Sequence, residues 1–472
     1  MTITIFGVLV ALIGGILMLR ASMLTMLVFV MMTTLLGGSA AFYLSTGSSV
    51  LPSIEAVLLL TIRCIMPTHR PNGALRTALD ANLPLLLFVI YGVAGALVLP
   101  IIFAGAMDVA PLRPVFTPDP FATIPLSFTP QNLTSAGYLF TTMLGAVCAF
   151  VAVQSRGAEA RVARAGAVVG ITHATLGFVG IAATGTPLTA VFDFFRNALY
   201  NQVDQEIGGL ARMNGIFAEA SNFAAYGFVY FVFATEMWLR GIDRRWTGSA
   251  SLVLVLALVV STSTTAYVGL AGYAAILLLR KILFPGTIPL TNLVAIMLGV
   301  LCAAVAILSL FVVRPESLKI VDLVYRMMVV NKSESESALV RIMWAKQGIE
   351  AFWISGGLGV GVGSFRSSSL GTAILGSMGV IGVATFAAQT LRVLKPLKQS
   401  TYLRTGDARI DVGAAATWTV VAMSIPSFVS APSPDPGLNW GLMVGIALGL
   451  RRVSGTQHFS GNFEKKELLA TG

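Results

Sequence analysis

The chain has 472 residues and a net charge of +10, yet only 11% of its side chains are charged and 56% are hydrophobic. Soluble domains carry about 25% charged residues, so a protein of this size could not cover itself in water with so few. A soluble enzyme, a nucleic-acid module and a disordered chain are excluded. What remains is an all-α integral membrane protein, and its 47 glycines suit helices that approach closely in lipid.

A spanning helix needs about 20 mostly apolar residues. In chain order the candidate spans are 3–19, 22–44, 50–66, 82–105, 135–154, 166–184, 216–238, 248–263, 265–280, 287–312, 367–391, 411–428 and 438–450. They predict a polytopic bundle of about 12–14 transmembrane helices filling residues 1–452. The N-terminus lacks the basic start of a signal peptide and reads as a retained membrane helix. Residues 453–472 read as a polar cytoplasmic tail. The three cysteines, Cys64, Cys148 and Cys302, all lie in apolar stretches and build neither a disulfide framework nor a metal cluster.

Lys and Arg concentrate in alternate connections, as cytoplasmic loops require. One set holds Arg70 and Arg76, then Arg156, Arg161 and Arg164, then Arg240, Arg244 and Arg245. It continues with Arg280 and Lys281, with Arg392, Lys395, Lys398, Arg404 and Arg409, and with Arg451 and Arg452. The other set includes 106–134, where Arg113 is the only cation, and 429–437, which has none. This alternation predicts an extracytoplasmic N-terminus and a cytoplasmic C-terminus.

Two extracytoplasmic segments run against the bias. Residues 185–215 carry Asp193, Arg196, Asp204, Glu206 and Arg212. Residues 313–366 carry Arg314, Lys319, Arg326, Lys332, Arg341, Lys346 and Arg366. Long loops follow the charge rule poorly, which is one explanation. An anionic substrate is the other, and arginine is the side chain suited to gripping phosphate bidentately. Within 338–353, Leu339, Ile342, Lys346, Ile349 and Trp353 recur at helical spacing. They predict a helix along the membrane surface that holds Arg341 and Trp344 near the headgroups.

Three stretches and a few buried ionisable groups could carry chemistry. Arg212-Met-Asn-Gly-Ile-Phe-Ala-Glu219 leads into a span, so Glu219 falls at its start. There it serves either as a helix-start carboxylate or as a catalytic acid beside a phosphate-binding Arg212. Ser261-Thr-Ser-Thr-Thr265 joins two short spans; its hydroxyls suit a helix cap, or contacts to a sugar. Gly356-Gly-Leu-Gly-Val-Gly361-Val-Gly363-Ser-Phe-Arg366 is either an anion nest or a tight turn into a closely packed helix. Arg63 sits near a helix end and should snorkel. Glu55 could face the cavity of Glu219, and His173 reads as a satisfied core residue. His69 and His458 fall on the cytoplasmic side, and no Asp-x-Asp pair, P-loop or HExxH occurs, so a metal site lacks obvious ligands.

The order of these features resembles the O-antigen ligase and polysaccharide polymerase superfamily of bacterial inner membranes. The resemblance rests on Arg212-x-x-Gly215-x-Phe217-x-Glu219, on Ser261-Thr-Ser-Thr-Thr-Ala-Tyr267, and on Arg341-x-x-Trp344 leading to Gly357–Arg366. It covers roughly 200–390; the first third matches only as apolar spans. It implies a polytopic GT-C-like glycosyltransferase that takes a glycan from undecaprenyl pyrophosphate at the outer leaflet, with no metal or other cofactor. Arg212, Arg341 and Arg366 would hold the pyrophosphate and Glu219 would accept a proton from, or orient, the acceptor hydroxyl. Trp344, Lys346, Arg196, Ser263, Gly361 and Gly363 would line the donor. Membrane lipid, a flippase and a chain-length co-polymerase are the partners this implies; nucleic acid is not.

Two departures matter. Family members often carry Ser-Arg where this chain has Ser263-Thr264, so one phosphate contact is missing or supplied elsewhere. Ligases typically place a histidine after the glycine stretch, where this chain reads Arg366-Ser-Ser-Ser369. The expectation is therefore a polymerase of lipid-linked repeat units, with a ligase as its near alternative. A secondary transporter or lipid-linked glycan flippase is the alternative of another class.

Overall fold

The computed structural model describes residues 2–44, 48–66, 73–112, 119, 121–199, 206–207, 210–284 and 336–394, then 402–451, with scattered residues in 291–299. Outside the described residues lie most of the expected span 287–312, Arg314, Lys319, Arg326 and Lys332, and Arg70, Arg113, Lys395 and Lys398. Cys302, His69, His458, Asp204 and the tail 453–472 lie outside them as well.

The protein is a helical membrane protein with almost no sheet. Helices α1 (Ile5–Arg20) and α2 (Met23–Thr33) are followed by α3 (Pro52–Ile65), the short α4 (Ala74–Ala81) and α5 (Leu83–Ile102). Next come α6 (Pro130–Ala152), α7 (Ala158–Ala183), the short α8 (Thr189–Phe195) and α9 (Ala220–Leu239). The series closes with α10 (Arg244–Val260), α11 (Thr264–Leu283), α12 (Glu336–Ile354), α13 (Leu370–Leu394), α14 (Ala408–Ser430) and α15 (Leu438–Arg451). Among the described residues, six of these (α5, α6, α7, α11, α13 and α14) are long and apolar enough to cross a membrane. α1, α2 and α15 are shorter apolar helices.

Local chemistry sets the ends. Thr4 and Ser22 accept bonds from Gly7 N and Thr25 N, capping α1 and α2. Pro52 and Pro130 open α3 and α6, where a missing N–H costs nothing. The expected span 22–44 is a correction: its helix stops at Thr33, and the chain runs on into β2 (Phe42–Tyr43). That strand pairs with β1 (Thr2–Ile3) and β3 (Ser49–Val50) in a small antiparallel sheet. Arg63 is a second correction. It is buried, and donates to the carbonyls of Leu19 and Ala21 at the end of α1 instead of snorkelling.

α9 is the central helix, packed against α7, α10, α11 and α14, with Phe223, Phe228, Tyr230 and Phe233 fully buried. Small residues allow the closest approaches: Gly441 and Gly445 of α15 lie on the backbone of α6 at Thr142 and Ala146. His173 of α7 is buried, stacks on Phe223 at 4.0 Å and bonds its carbonyl at 3.1 Å, the satisfied core residue expected. The outside of the bundle is apolar: Leu12, Ile101, Leu278 and Val380 are each more than half exposed, as a lipid-facing surface requires.

Hydrogen bonds between distant connections sort the chain into two ends. At one end Tyr43 bonds Asn197 O, Tyr138 bonds Ser49 O, Arg366 N bonds Ala110 O and Ser367 N bonds Pro432 O. At the other, Arg409 bonds Val153 O, Arg392 bonds Ala81 O, Arg240 bonds Leu403 O and Arg451 bonds Val393 O. The second group contains the cation-rich connections, so the charge alternation and the architecture divide the chain alike. One connection enters the bundle: Asp435, between α14 and α15, accepts from Thr142 Oγ1 midway along α6 at 2.8 Å and from Gly437 N at 3.1 Å.

Several second-end cations are not loop charges. Glu236 of α9 is completely buried against Arg280 of α11, takes a 2.9 Å bond from Tyr273 Oη and lies 3.8 Å from Arg240. Arg240 in turn meets Asp411 of α14 at 3.3 Å, and Asp411 accepts from Thr405 N and Gly406 N. Arg280 also lies over the Trp418 ring at 4.2 Å. Two guanidinium groups and two carboxylates therefore close a neutral, buried network joining α9, α11 and α14. The sequence reading of Arg240 and Arg280 as plain topology signals is too narrow.

Candidate functional site

The site assembles at the low-cation end from three stretches far apart in the chain. The first is 212–219, which enters α9 with Glu219 as the residue just before the helix. Its carboxylate makes no cap to the helix N–H groups; Glu219 Oε2 instead accepts from Ser221 Oγ at 2.8 Å. The helix-start reading accounts for its place and not for its contact. Behind it, Phe217 packs edge-on to His173, and Gly37 of the connection after α2 lies on the Phe217 ring. These contacts fix the path of the chain from Arg212 to Glu219.

The second stretch joins α10 to α11. Thr262 has φ +50°, a left-handed conformation strained for a β-branched residue, and its carbonyl accepts from Arg212 Nη2 at 3.4 Å. The cap expected here is a correction. Ser263 occupies the capping position just before α11, but its hydroxyl makes no capping bond, and the buried Oγ meets no hydrogen-bond partner among the described residues. Ser261 Oγ turns back to Leu258 O at 2.7 Å.

The third stretch is α12 with the glycine run after it. A helix is present where the spacing predicts one. Leu339, Ile342, Lys346, Ile349 and Trp353 form its outward face, while Gly348 and Ala351 are buried and Gly348 lies on α13 at Thr372. Arg366 lies over the Trp344 ring at 4.3 Å, and Ser368 Oγ bonds the backbone carbonyl of Arg341 at 2.6 Å, so the segment carrying Arg366 is held on α12, the helix that contains Arg341. The Trp344 indole N–H is buried with no hydrogen-bond partner among the described residues.

Electrostatics joins the stretches. Burial lowers the Arg212 guanidinium from its ordinary range; Glu219 and Tyr267 oppose this, and Arg341 adds to it by like-charge repulsion. Arg212, Glu219, Arg341 and Tyr267 thus lie in one field, and Arg341 leads through α12 to Trp344 and Arg366. Arg212 and Glu219 are half-buried beside the exposed Arg341, and Arg366 stands on the Trp344 ring of the same helix as Arg341. Arginines so placed suit a phosphate group, with the Glu219 carboxylate beside them.

Other expected site residues sit apart. The N–H groups of Gly357, Gly359, Val360 and Gly361 are all committed, to Phe352 O, Ser355 Oγ, Gly376 O and Ser377 O. Gly361 has φ +98°, and a Cβ there would sit 2.7 Å from Pro100 Cδ; Gly363 has φ +87°, and a Cβ there would sit 2.7 Å from Asn132 Cα. This run is a packing device against α5 and α6 that delivers Arg366, and the nest expectation gives way to the tight-turn one. Arg196 pairs with Asp193 at 3.1 Å at the end of α8. Lys346 is exposed on the outward face of α12. Glu55 Oε2 is buried without a hydrogen-bond partner among the described residues, and no contact ties it to Glu219. Ser221 and Tyr267 belong to the cluster and were not singled out in the sequence as site residues; only their nearness to Glu219 and Ser263 marked them. No family model, curated protein or solved structure matches this chain, so the arginine cluster itself has to carry the functional argument.

Proposed function

We propose that the protein is a bacterial polysaccharide polymerase. It joins undecaprenyl-pyrophosphate-linked oligosaccharide repeat units at the outer leaflet of the inner membrane. The observation that carries this is the approach of Arg341 to Arg212, more than a hundred residues earlier in the chain, beside the Glu219 carboxylate, with Arg366 stacked on Trp344 of the same helix as Arg341. In this reading the arginines stabilise the pyrophosphate as it leaves the anomeric carbon and negative charge builds on it. Glu219, held by Ser221, takes the proton from the attacking hydroxyl. The finer topology belongs to the same proposal: about 12–14 spans, the cluster outside, the N-terminus outside and the C-terminus in the cytoplasm. Transfer of finished glycan to another acceptor is the neighbouring reading, and Arg366-Ser-Ser-Ser369 in place of a histidine favours polymerisation over it.

The test is chain elongation by purified protein in nanodiscs, from lipid-linked repeat units, with a chelator present. Products longer than one unit that remain on the lipid carrier are expected. Transfer only to an added non-carrier acceptor would replace polymerase with ligase. Movement of the intact donor across the bilayer without a new glycosidic bond would replace both with a flippase.

A further inference from the structure

At the end opposite the arginine cluster, a cleft of about 520 Å³ opens between the start of α7, the turn from α9 to α10 and the start of α14. Glu159, Arg161, Arg164 and Asp243 line it. Both carboxylates already have partners: Glu159 meets Arg409 at 3.1 Å and Asp243 meets Arg164 at 2.7 Å. Arg161 is exposed beside them. Arg404, also exposed, lies against the backbone of Gly241, where an added Cβ would be 2.8 Å from its Cζ. Among the described residues neither Arg161 nor Arg404 meets a carboxylate within 4.0 Å. Arg161 lines the opening and Arg404 stands at its Gly241 edge; with Asp407, exposed beside the lining residue Ala408, four guanidinium groups stand against three carboxylates.

The surroundings are those of a membrane interface. Arg164 lies over the Trp246 ring at 4.8 Å, and that indole is 42% exposed. Less than two turns further along α10, Leu252 is half exposed, so apolar surface descends from the cleft into the lipid-facing flank. An aromatic ring at a helix start, basic groups above it and an apolar flank below match a phospholipid: phosphate at the arginines, glycerol at the indole, chains along α10.

We propose that this cleft is a binding site for the phosphodiester headgroup of an anionic phospholipid, gripped by Arg161 and Arg404 and levelled by Trp246. The site is separate from the arginine cluster and does not depend on the function proposed for it. A free phosphate would satisfy the same cations, but nothing in free phosphate uses the exposed indole or the flank below it.

The experiment is native mass spectrometry of the full-length protein in detergent. It is titrated separately with phosphatidylglycerol, phosphatidylcholine and glycerol 3-phosphate. Phosphatidylglycerol should bind about tenfold more tightly than phosphatidylcholine, and glycerol 3-phosphate should not bind at the same concentrations. The double variant Arg161→Gln/Arg404→Gln should bind phosphatidylglycerol about thirtyfold more weakly. Arg20→Gln/Arg76→Gln removes two exposed cations from the same end and should leave binding unchanged. Equal losses in the two double variants would reduce the site to diffuse surface charge and overturn it. Equal binding of the two lipids to wild type, a result that needs no variant to fold, would also overturn it. Tight binding of glycerol 3-phosphate would turn it into a soluble-anion site and exclude the lipid.

Discussion

Two clusters of arginine and carboxylate sit at opposite ends of the bundle, and their burial separates them. In the Glu236–Arg280–Arg240–Asp411 network, two cations meet two anions, nearly all of each side chain is buried, and Tyr273, Thr405 and Gly406 take up further valences. Around Glu219, by contrast, Arg212 and Arg366 are only half-buried and Arg341 is exposed. The first arrangement is closed off by burial from any other molecule. Compensation of that kind is what a buried ion cluster needs to be tolerated at all, and it joins helices. The second is partly exposed and open to a negative group from outside. Arginine content alone does not mark a site; arginine brought to an accessible place from separate stretches does.

The comparison can be broken most directly at Glu219. Glu219→Gln keeps shape and the Ser221 contact but removes the proton acceptor. Elongation should fall at least about a hundredfold with donor binding retained, since general-base catalysis contributes about 10²–10⁴-fold. Elongation within about threefold of wild type would move Glu219 to the structural side. Glu236→Gln is the mirror experiment. It leaves Arg280 without its counter-charge and should cost about 3–5 kcal/mol of stability by thermal or denaturant unfolding. The residual folded protein should elongate at the normal rate. A slower rate in the folded fraction would show that the two ends are coupled.

Smaller effects sharpen the contrast. Arg341→Lys keeps the charge and loses the fork, so elongation should drop about ten- to a hundredfold with protein level unchanged. The substitution Arg409→Lys at the compensated end should cost at most about 1 kcal/mol, because its pair with Glu159 is partly solvated. Ser263→Ala has the smallest expected effect and an unusual sign. Its buried hydroxyl meets no partner in the described protein, so removing it should leave the melting temperature unchanged or raise it slightly. KM for the lipid-linked donor should meanwhile rise a few-fold, about 0.5–1.5 kcal/mol for one neutral hydrogen bond. A lower melting temperature with unchanged KM would return Ser263 to a structural role.

Much of the fold was legible because lipid leaves few choices. Runs of apolar residues near the required length became α5, α6, α7, α11, α13 and α14, with ends shifted by a few residues where Pro130 or Ala158 set an earlier start. The helix α12 was legible from the spacing of Leu339, Ile342, Ile349 and Trp353. The arginines of the site were legible as cations on the wrong side of the charge rule. The rest needed three dimensions. Nothing near Arg240 announces Asp411, which is brought to it only by packing of α9 on α14. The strained Thr262 has no composition signal, since its φ is imposed by the turn it occupies. The glycine run misled in the same way. Positive φ is what both a ligand nest and a close helix contact demand, and only the acceptors of its N–H groups distinguish them.

The re-entrant connection has a consequence for membrane depth. Thr142, where Asp435 lands, is the thirteenth residue of α6, or about 18 Å along its axis from Pro130. That is more than half of the roughly 30 Å of hydrocarbon in a bilayer. A polar connection at that depth shortens the purely apolar path along α6: only its last ten residues, Met143–Ala152, separate the Asp435 contact from the cation-rich end.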